Sequence, residues 1–197
     1  MNRDKNYSAQ EDLFTEVIEG LKRMNEKPIA WGITGAGHAF EECIETLLKC
    51  KCVDVFLSRA AEEVVGMYGL DARLNTPRVR IYRENKSSSP LVGRLFSGMY
   101  RLLVVAPATS NSIAKFINGI SDTLVTNLLA QAGKARIPIV VLPTDLAPEM
   151  DSLGPNRESI KVYPRKIDLE NTEQLRSFEG VVVVRSQAEL ESFLFPE

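Results

Sequence analysis

The chain of 197 residues has a single histidine and three cysteines, and this scarcity excludes several chemistries at once. The histidine, His38, follows a glycine turn, where a surface or capping role is expected and no general-base role is assigned. Cys43, Cys50 and Cys52 are odd in number and clustered, which is no disulfide framework and suits a reducing compartment. Cys43 and Cys50 fall at helix-face spacing and Cys52 opens an apolar run, so all three are expected as small core side chains, with no metal site. No apolar run approaches the ~20 residues that cross a bilayer. Met1 to Asn25 is polar and acidic, not a basic region leading into an apolar core, so a cytoplasmic protein with no membrane partner is expected. A formal net charge of -2 leaves no electrostatic footprint for nucleic acid. There is no Walker motif to suggest ATP, and no G-x-G-x-x-G.

What is present is ordinary for a globular domain: 44% apolar and 25% charged residues. A domain usually takes ~100–200 residues, so one compact unit is expected. Residues 1–27 read as an N-terminal helical extension. In it Leu13, Phe14, Val17, Ile18 and Leu21 form an apolar stripe that needs a partner surface. From residue 28 to 197 strands and helices alternate. Ile29 to Ile33 runs into the turn Thr34-Gly35-Ala36-Gly37, and a helix follows with Phe40, Ile44, Leu47 and Leu48 on one face. Cys52 to Ser58 reads as a second strand, Arg59 to Met67 as a second helix, and Val79 to Tyr82 as a third strand.

Leu102 to Pro107 and Ile137 to Pro143 are near-continuous apolar runs, as strands of a parallel sheet buried on both faces require. Two helices lie between Thr109 and Ala132, divided near Gly119-Ile120-Ser121-Asp122, with Ser121 or Asp122 as the cap of the second. The segment from Thr144 to Ser159 is expected as a long loop, followed by a helix at Leu169 to Phe178, a strand at Val181 to Val184 and a closing helix from Gln187. The fold class is therefore α/β: a single domain with a doubly wound, mostly parallel sheet in a Rossmann- or flavodoxin-like three-layer arrangement. Ligands of such sheets bind beyond the carboxyl ends of the strands.

Three segments fall at those ends. Gly32-Ile33-Thr34-Gly35-Ala36-Gly37-His38 joins a strand to a helix, where unpaired N–H groups and the helix dipole favour a phosphate. Its spacing is G-x-x-G-x-G, and Ser58 ends the second strand where a ribose-binding acid would stand, so a dinucleotide is disfavoured. A ligand-free tight turn is the alternative reading. A β-branched residue at Gly35 is expected to displace the phosphate and leave the fold in place. Ser58 and Arg59 are able to reach the same anion, or Ser58 caps a helix. Ala106-Pro107-Ala108-Thr109-Ser110-Asn111 is a loop of small hydrogen-bonding residues suited to a flat polar heterocycle, with helix capping by Thr109 or Ser110 as the alternative.

Gly-x-Thr-Gly-Ala, the Ser after the second strand, and Ala106 to Lys115 with its Gly119-Ile120-Ser121-Asp122 continuation together resemble the flavoprotein family that contains the homo-oligomeric flavin-containing cysteine decarboxylases. The resemblance covers roughly residues 28 to 145 and is most specific from Pro107 to Asn127. Trp31 to Gly37, Val92-Gly93-Arg94 and Asp122 to Asn127 are most similar to its archaeoflavoprotein and dihydromethanopterin reductase (acceptor) branch.

The resemblance implies FMN, with its phosphate on Thr34, Gly35, Ala36, Gly37 and Ser58, beside Arg59. It implies the isoalloxazine near Ala106, Pro107, Ala108, Thr109, Ser110 and Asn111, and a trimer or multiple of trimers with the flavin at a subunit boundary. No catalytic residue is assigned. The activity implied is FMN-dependent reduction of a pterin such as dihydromethanopterin, with electrons from a reduced donor through one flavin site. The Arg83 to Ser89 and Thr144 to Ser159 loops would wall the exposed flavin edge. An electron-transfer flavoprotein serving a redox-protein partner is the second reading, and a decarboxylase or prenyltransferase the third. Against the third, the family's decarboxylases use a mid-chain histidine and a Pro-x-Met-Asn clamp. Here the histidine is His38 and the late loop reads Pro143-Thr144-Asp145-Leu146.

Overall fold

The computed structural model describes residues 10, 12–20, 27–84, 92–154 and 158–196. A six-stranded parallel sheet runs in the order β3-β2-β1-β4-β5-β8. Its strands are β1 (Ile29–Ile33), β2 (Val53–Leu57), β3 (Val79–Arg83), β4 (Leu102–Ala108), β5 (Ile139–Pro143) and β8 (Val181–Val183). All but β3 are buried along their whole length, whereas β3 is an edge strand and partly exposed. This is the doubly wound sheet expected from the apolar runs, because a strand covered on both faces has no polar side to present.

One face of the sheet is covered by α1 (residues 12–20), α2 (Phe40–Lys49), α3 (Arg59–Met67), the short α4 (Asp71–Leu74) and α8 (Gln187–Leu194). The other carries a 3-10 turn at Gly93–Ser97, then α5 (Ser110–Ile117), α6 (Leu124–Lys134) and α7 (Lys166–Leu175). The chain changes face between β3 and β4, so β1 and β4 are neighbours whose following helices lie on opposite faces. Such a switch point opens a crevice at the carboxyl edge.

Several expectations are corrected. Ser121 and Asp122 do not cap α6. Thr123 does, its Oγ1 accepting from Thr126 N at 3.2 Å while Thr126 Oγ1 accepts from Thr123 N at 2.9 Å. The segment from Thr144 to Ser159 is no plain loop, because it contains β6 (Met150–Leu153), paired antiparallel with β7 (Ser159–Val162). These strands are short and largely exposed, so they lack the apolar run that marked the others. Helix α7 begins before Leu169, since Asp168 accepts from Arg165 N at 3.0 Å and closes the first turn early. Cys52 is exposed and stands one residue before β2, while Cys43 and Cys50 are buried as expected.

The apolar stripe of α1 finds its partner within the same chain. Val17 is buried, Leu13, Phe14 and Ile18 pack on the core, and the Phe14 and Phe193 rings meet edge-on with centroids 4.9 Å apart. Gln10 then closes the free edge of β8: its Nε2 donates to Val181 O at 2.9 Å and to Arg176 O at 2.6 Å, and its Oε1 accepts from Val183 N at 3.2 Å. A side-chain amide here does what a seventh strand would do for those two residues. Leu21, the rest of the expected extension and most of the Arg83 to Ser89 loop lie outside the described residues. Among the described residues no helix is long and apolar enough to cross a membrane.

Candidate functional site at the carboxyl edge of the sheet

The crevice is assembled from the ends of β1, β2, β3 and β4. Pro107 has no N–H to donate, and the register between β4 and β5 shifts between Val105 and Ala108, which surround it. The Pro107 carbonyl continues the β1–β4 ladder beyond Gly32 and Val105, accepting from Thr34 N at 3.3 Å and from Thr34 Oγ1 at 2.9 Å. Thr34 Oγ1 also accepts from Thr109 N at 2.8 Å. One buried hydroxyl thus ties the glycine turn to the β4–α5 loop, two segments that are far apart in sequence. Ser58 joins them through its backbone N–H, which donates to Ile33 O at 3.1 Å.

Gly35 packs against the first turn of α3. A Cβ built on it would lie 2.4 Å from Ala60 Cβ and 3.0 Å from the Ala60 carbonyl carbon. Glycine is therefore required for helix–strand packing before any ligand is considered, and a β-branched residue at Gly35 acts on the fold as well as on the crevice. This corrects the expectation that such a change leaves the fold in place.

The capping alternatives for two candidates are realised. Ser58 Oγ accepts from Ala61 N at 3.1 Å and Thr109 Oγ1 from Ser112 N at 3.3 Å, so each caps the helix that follows it. As the acceptor in its bond, Ser58 Oγ still has its own O–H to donate. Ser110 Oγ donates to Asp145 Oδ2, which binds the start of α5 to the loop after β5. Asn111 and Arg59 are exposed at the first turns of α5 and α3. Ala106 and Ala108 are fully buried within β4, and the Ala106 carbonyl accepts from Trp31 Nε1 at 2.7 Å. Lys115 holds the α5–α6 connection through Asp122 at 2.8 Å and 2.9 Å, and this partner keeps the Asp122 carboxyl below the usual range.

A model of the flavoprotein family matches residues 18–193. The chain belongs to that family. Among flavoproteins it is 43% identical over 136 residues to dihydromethanopterin reductase (acceptor) from Methanosarcina mazei. That match covers 62% of this chain and 57% of the reductase, so the chain spans little more than half of that relative. The FMN complex of Burkholderia xenovorans DmrB, described as a cubic protein cage for redox transfer, shares 44% identity. It superimposes with a TM-score of 0.78, covering 86% of this chain and 93% of that one. Phenylacrylic acid decarboxylase from Aquifex aeolicus, at 28% identity and a TM-score of 0.58, covers 85% and 92%.

Two acidic residues of this flavoprotein's crevice were not singled out in the sequence, although they belong to the two loops expected to wall it. Glu84 follows β3 and accepts from Arg59 N at 2.8 Å and Leu124 N at 2.9 Å, the first amides of α3 and α6. Asp145 receives Ser110, as above. Glu84 is the first residue after β3 and Asp145 the second after β5, and this position beyond a parallel strand is the one signal that marks them. His38 is half-buried at the turn into α2 and lines a cavity of about 430 Å³ with Gly37 of the glycine turn, Tyr68, Leu142 and Ser186.

Proposed function

We propose that the chain binds FMN in this crevice and passes electrons from a reduced donor to a pterin such as dihydromethanopterin. The observation that carries the reading is the Thr34–Pro107–Thr109 knot, which brings a glycine turn and a helix N-terminus to one switch point. The residues present fit a phosphomonoester. Ser58 has a hydroxyl proton to give and the backbone of the glycine turn can approach an anion closely, whereas the α5 N-terminus already has Asp145 on Ser110 and Thr109 on the Ser112 amide. Thr34, Gly35, Ala36, Gly37 and Ser58 would hold the phosphate, with Arg59 beside it. Pro107, Thr109, Ser110 and Asn111 would meet the flat ring, while buried Ala106 and Ala108 set the strand behind it. FMN supplies reversible hydride and electron transfer, so the chain's own task is to bind, orient and shield. The relationship to a dihydromethanopterin reductase and to DmrB supports this choice over a lyase of the same fold.

A homo-oligomer belongs to the same reading, supported by the cage described for DmrB. A cytoplasmic site is consistent with the free thiols of Cys43, Cys50 and Cys52.

Purified full-length protein should be yellow and release FMN, accept electrons from NADH, NADPH or reduced ferredoxin, and be reoxidised by a dihydropterin with parallel double-reciprocal lines. Reoxidation by a redox protein and by no pterin would favour the electron-transfer reading. Carbon dioxide released from a cysteinyl peptide, with nothing able to reoxidise the flavin, would overturn both.

A further inference from the structure

Glu84 stands where a ligand anion would otherwise be expected. Its backbone N–H is fixed to Leu57 O at 3.1 Å, in line with the β2–β3 ladder, and its half-buried side chain reaches across the carboxyl edge. One carboxylate oxygen takes the first amide of α3 and the other the first amide of α6. A helix N-terminus carries roughly half an elementary positive charge, so two of them are balanced by one carboxylate. Helix α6 has no acid of its own in its first turn, and α3 has only Glu62. Arg59, whose amide Glu84 occupies, directly follows Ser58, the phosphate ligand of the reading above.

Resting on that reading, we propose that Glu84 is a specificity-determining residue: a built-in anion that fills the position shared by the α3 and α6 N-termini, so that the crevice admits a flavin with one phosphate and rejects one with two. A single phosphate has Ser58, Arg59 and the β1 turn. A second phosphate beside it meets a carboxylate where two helix dipoles would have received it. The effect is electrostatic and close-range, because like charges in a partly desolvated cleft are poorly screened.

The test measures dissociation constants of FMN, FAD and riboflavin for the apoprotein by flavin fluorescence, in the parent chain and in Glu84→Gln, which keeps an acceptor and removes the charge. The preference of the parent for FMN over FAD should shrink by about tenfold in Glu84→Gln, a difference well within what one nearby charge supplies, with riboflavin affinity unchanged. As a second readout, Glu84→Ala should lose thermal stability and regain it in acetate, a free carboxylate that fills the vacated position, while the parent does not respond. An unchanged FMN-to-FAD ratio in Glu84→Gln, or riboflavin binding falling in step with FMN, would overturn the proposal and leave flavin binding standing. A parent protein that binds none of the three flavins would overturn the function itself.

Discussion

Replacing Gly35 by alanine tests the packing that positions the phosphate turn. The new Cβ would sit 2.4 Å from Ala60 Cβ, 3.0 Å from the Ala60 carbonyl carbon and 3.2 Å from its Cα. Carbon atoms at rest are ~3.5–4.0 Å apart, so the first turn of α3 must recede by about 1 Å. Overpacking of this kind costs about 1–3 kcal/mol. For a domain of this size each kcal/mol lowers Tm by about 2–4 °C, which gives a drop of about 2–12 °C. Two of the three close atoms are backbone and cannot rotate away, so the upper half of that range is expected.

Ala60→Gly is the partner change. Alone it costs about 0.5–1 kcal/mol as a helix glycine. In the double variant it removes the 2.4 Å contact and leaves the two backbone contacts, so the pair should be more stable than the sum of the single losses by about 1 kcal/mol. Calorimetry of the apoprotein measures stability, and flavin titration of the same samples measures the crevice. Should Gly35→Ala melt within about 1 °C of the parent, or should Ala60→Gly bring no recovery, the close approach of β1 and α3 would be wrong.

Asp54 is fully buried in β2 and accepts from Arg80 Nε at 2.6 Å and Tyr100 OH at 2.6 Å, with burial and this carboxylate together raising the Tyr100 hydroxyl well above its ordinary range. Asp54→Ala removes the carboxylate that Tyr100 donates to and leaves Tyr100 with Arg94 alone, while the half-exposed Arg80 rehydrates, so a loss of about 2–3 kcal/mol in urea unfolding is expected; under about 0.5 kcal/mol would refute the network. At the start of α7 the Arg165 guanidinium, 2.7 Å from Asp168, holds the Asp168 carboxyl below its ordinary value. A depressed folded pKa stabilises above the unfolded value of about 3.9 and is lost as pH falls through the folded one, so Asp168→Asn should cost about 1 kcal/mol at pH 7 and converge on the parent once the pH has fallen through the folded value. A penalty unchanged at low pH would contradict that sign. Burial pushes Cys50 up to about 12 and Cys43 further, whereas Cys52 is exposed, so a thiol reagent should titrate one cysteine in the native protein and all three after unfolding.

Much of the molecule was legible from local pattern. Leu102 to Pro107 and Ile137 to Pro143 announced a doubly covered parallel sheet, because such strands must be apolar on both sides. That class of sheet in turn placed Thr34, Ser58 and Thr109 at one edge. The small polar residues after the strands were open to two readings, cap or ligand, and local sequence does not separate them. Ser58 and Thr109 do cap their helices, which leaves the ligand reading to a binding experiment.

Strand order belongs to the tertiary structure alone. It sets β4 beside β1, so that one Thr34 hydroxyl binds Pro107 and Thr109, and it sets the N-termini of α3 and α6 within reach of one Glu84 carboxylate. The same holds for Gln10 on the edge of β8 and for Ala60 against Gly35. Each joins residues widely separated in the chain, whereas hydrophobic periodicity reports only which way a side chain faces within its own helix or strand.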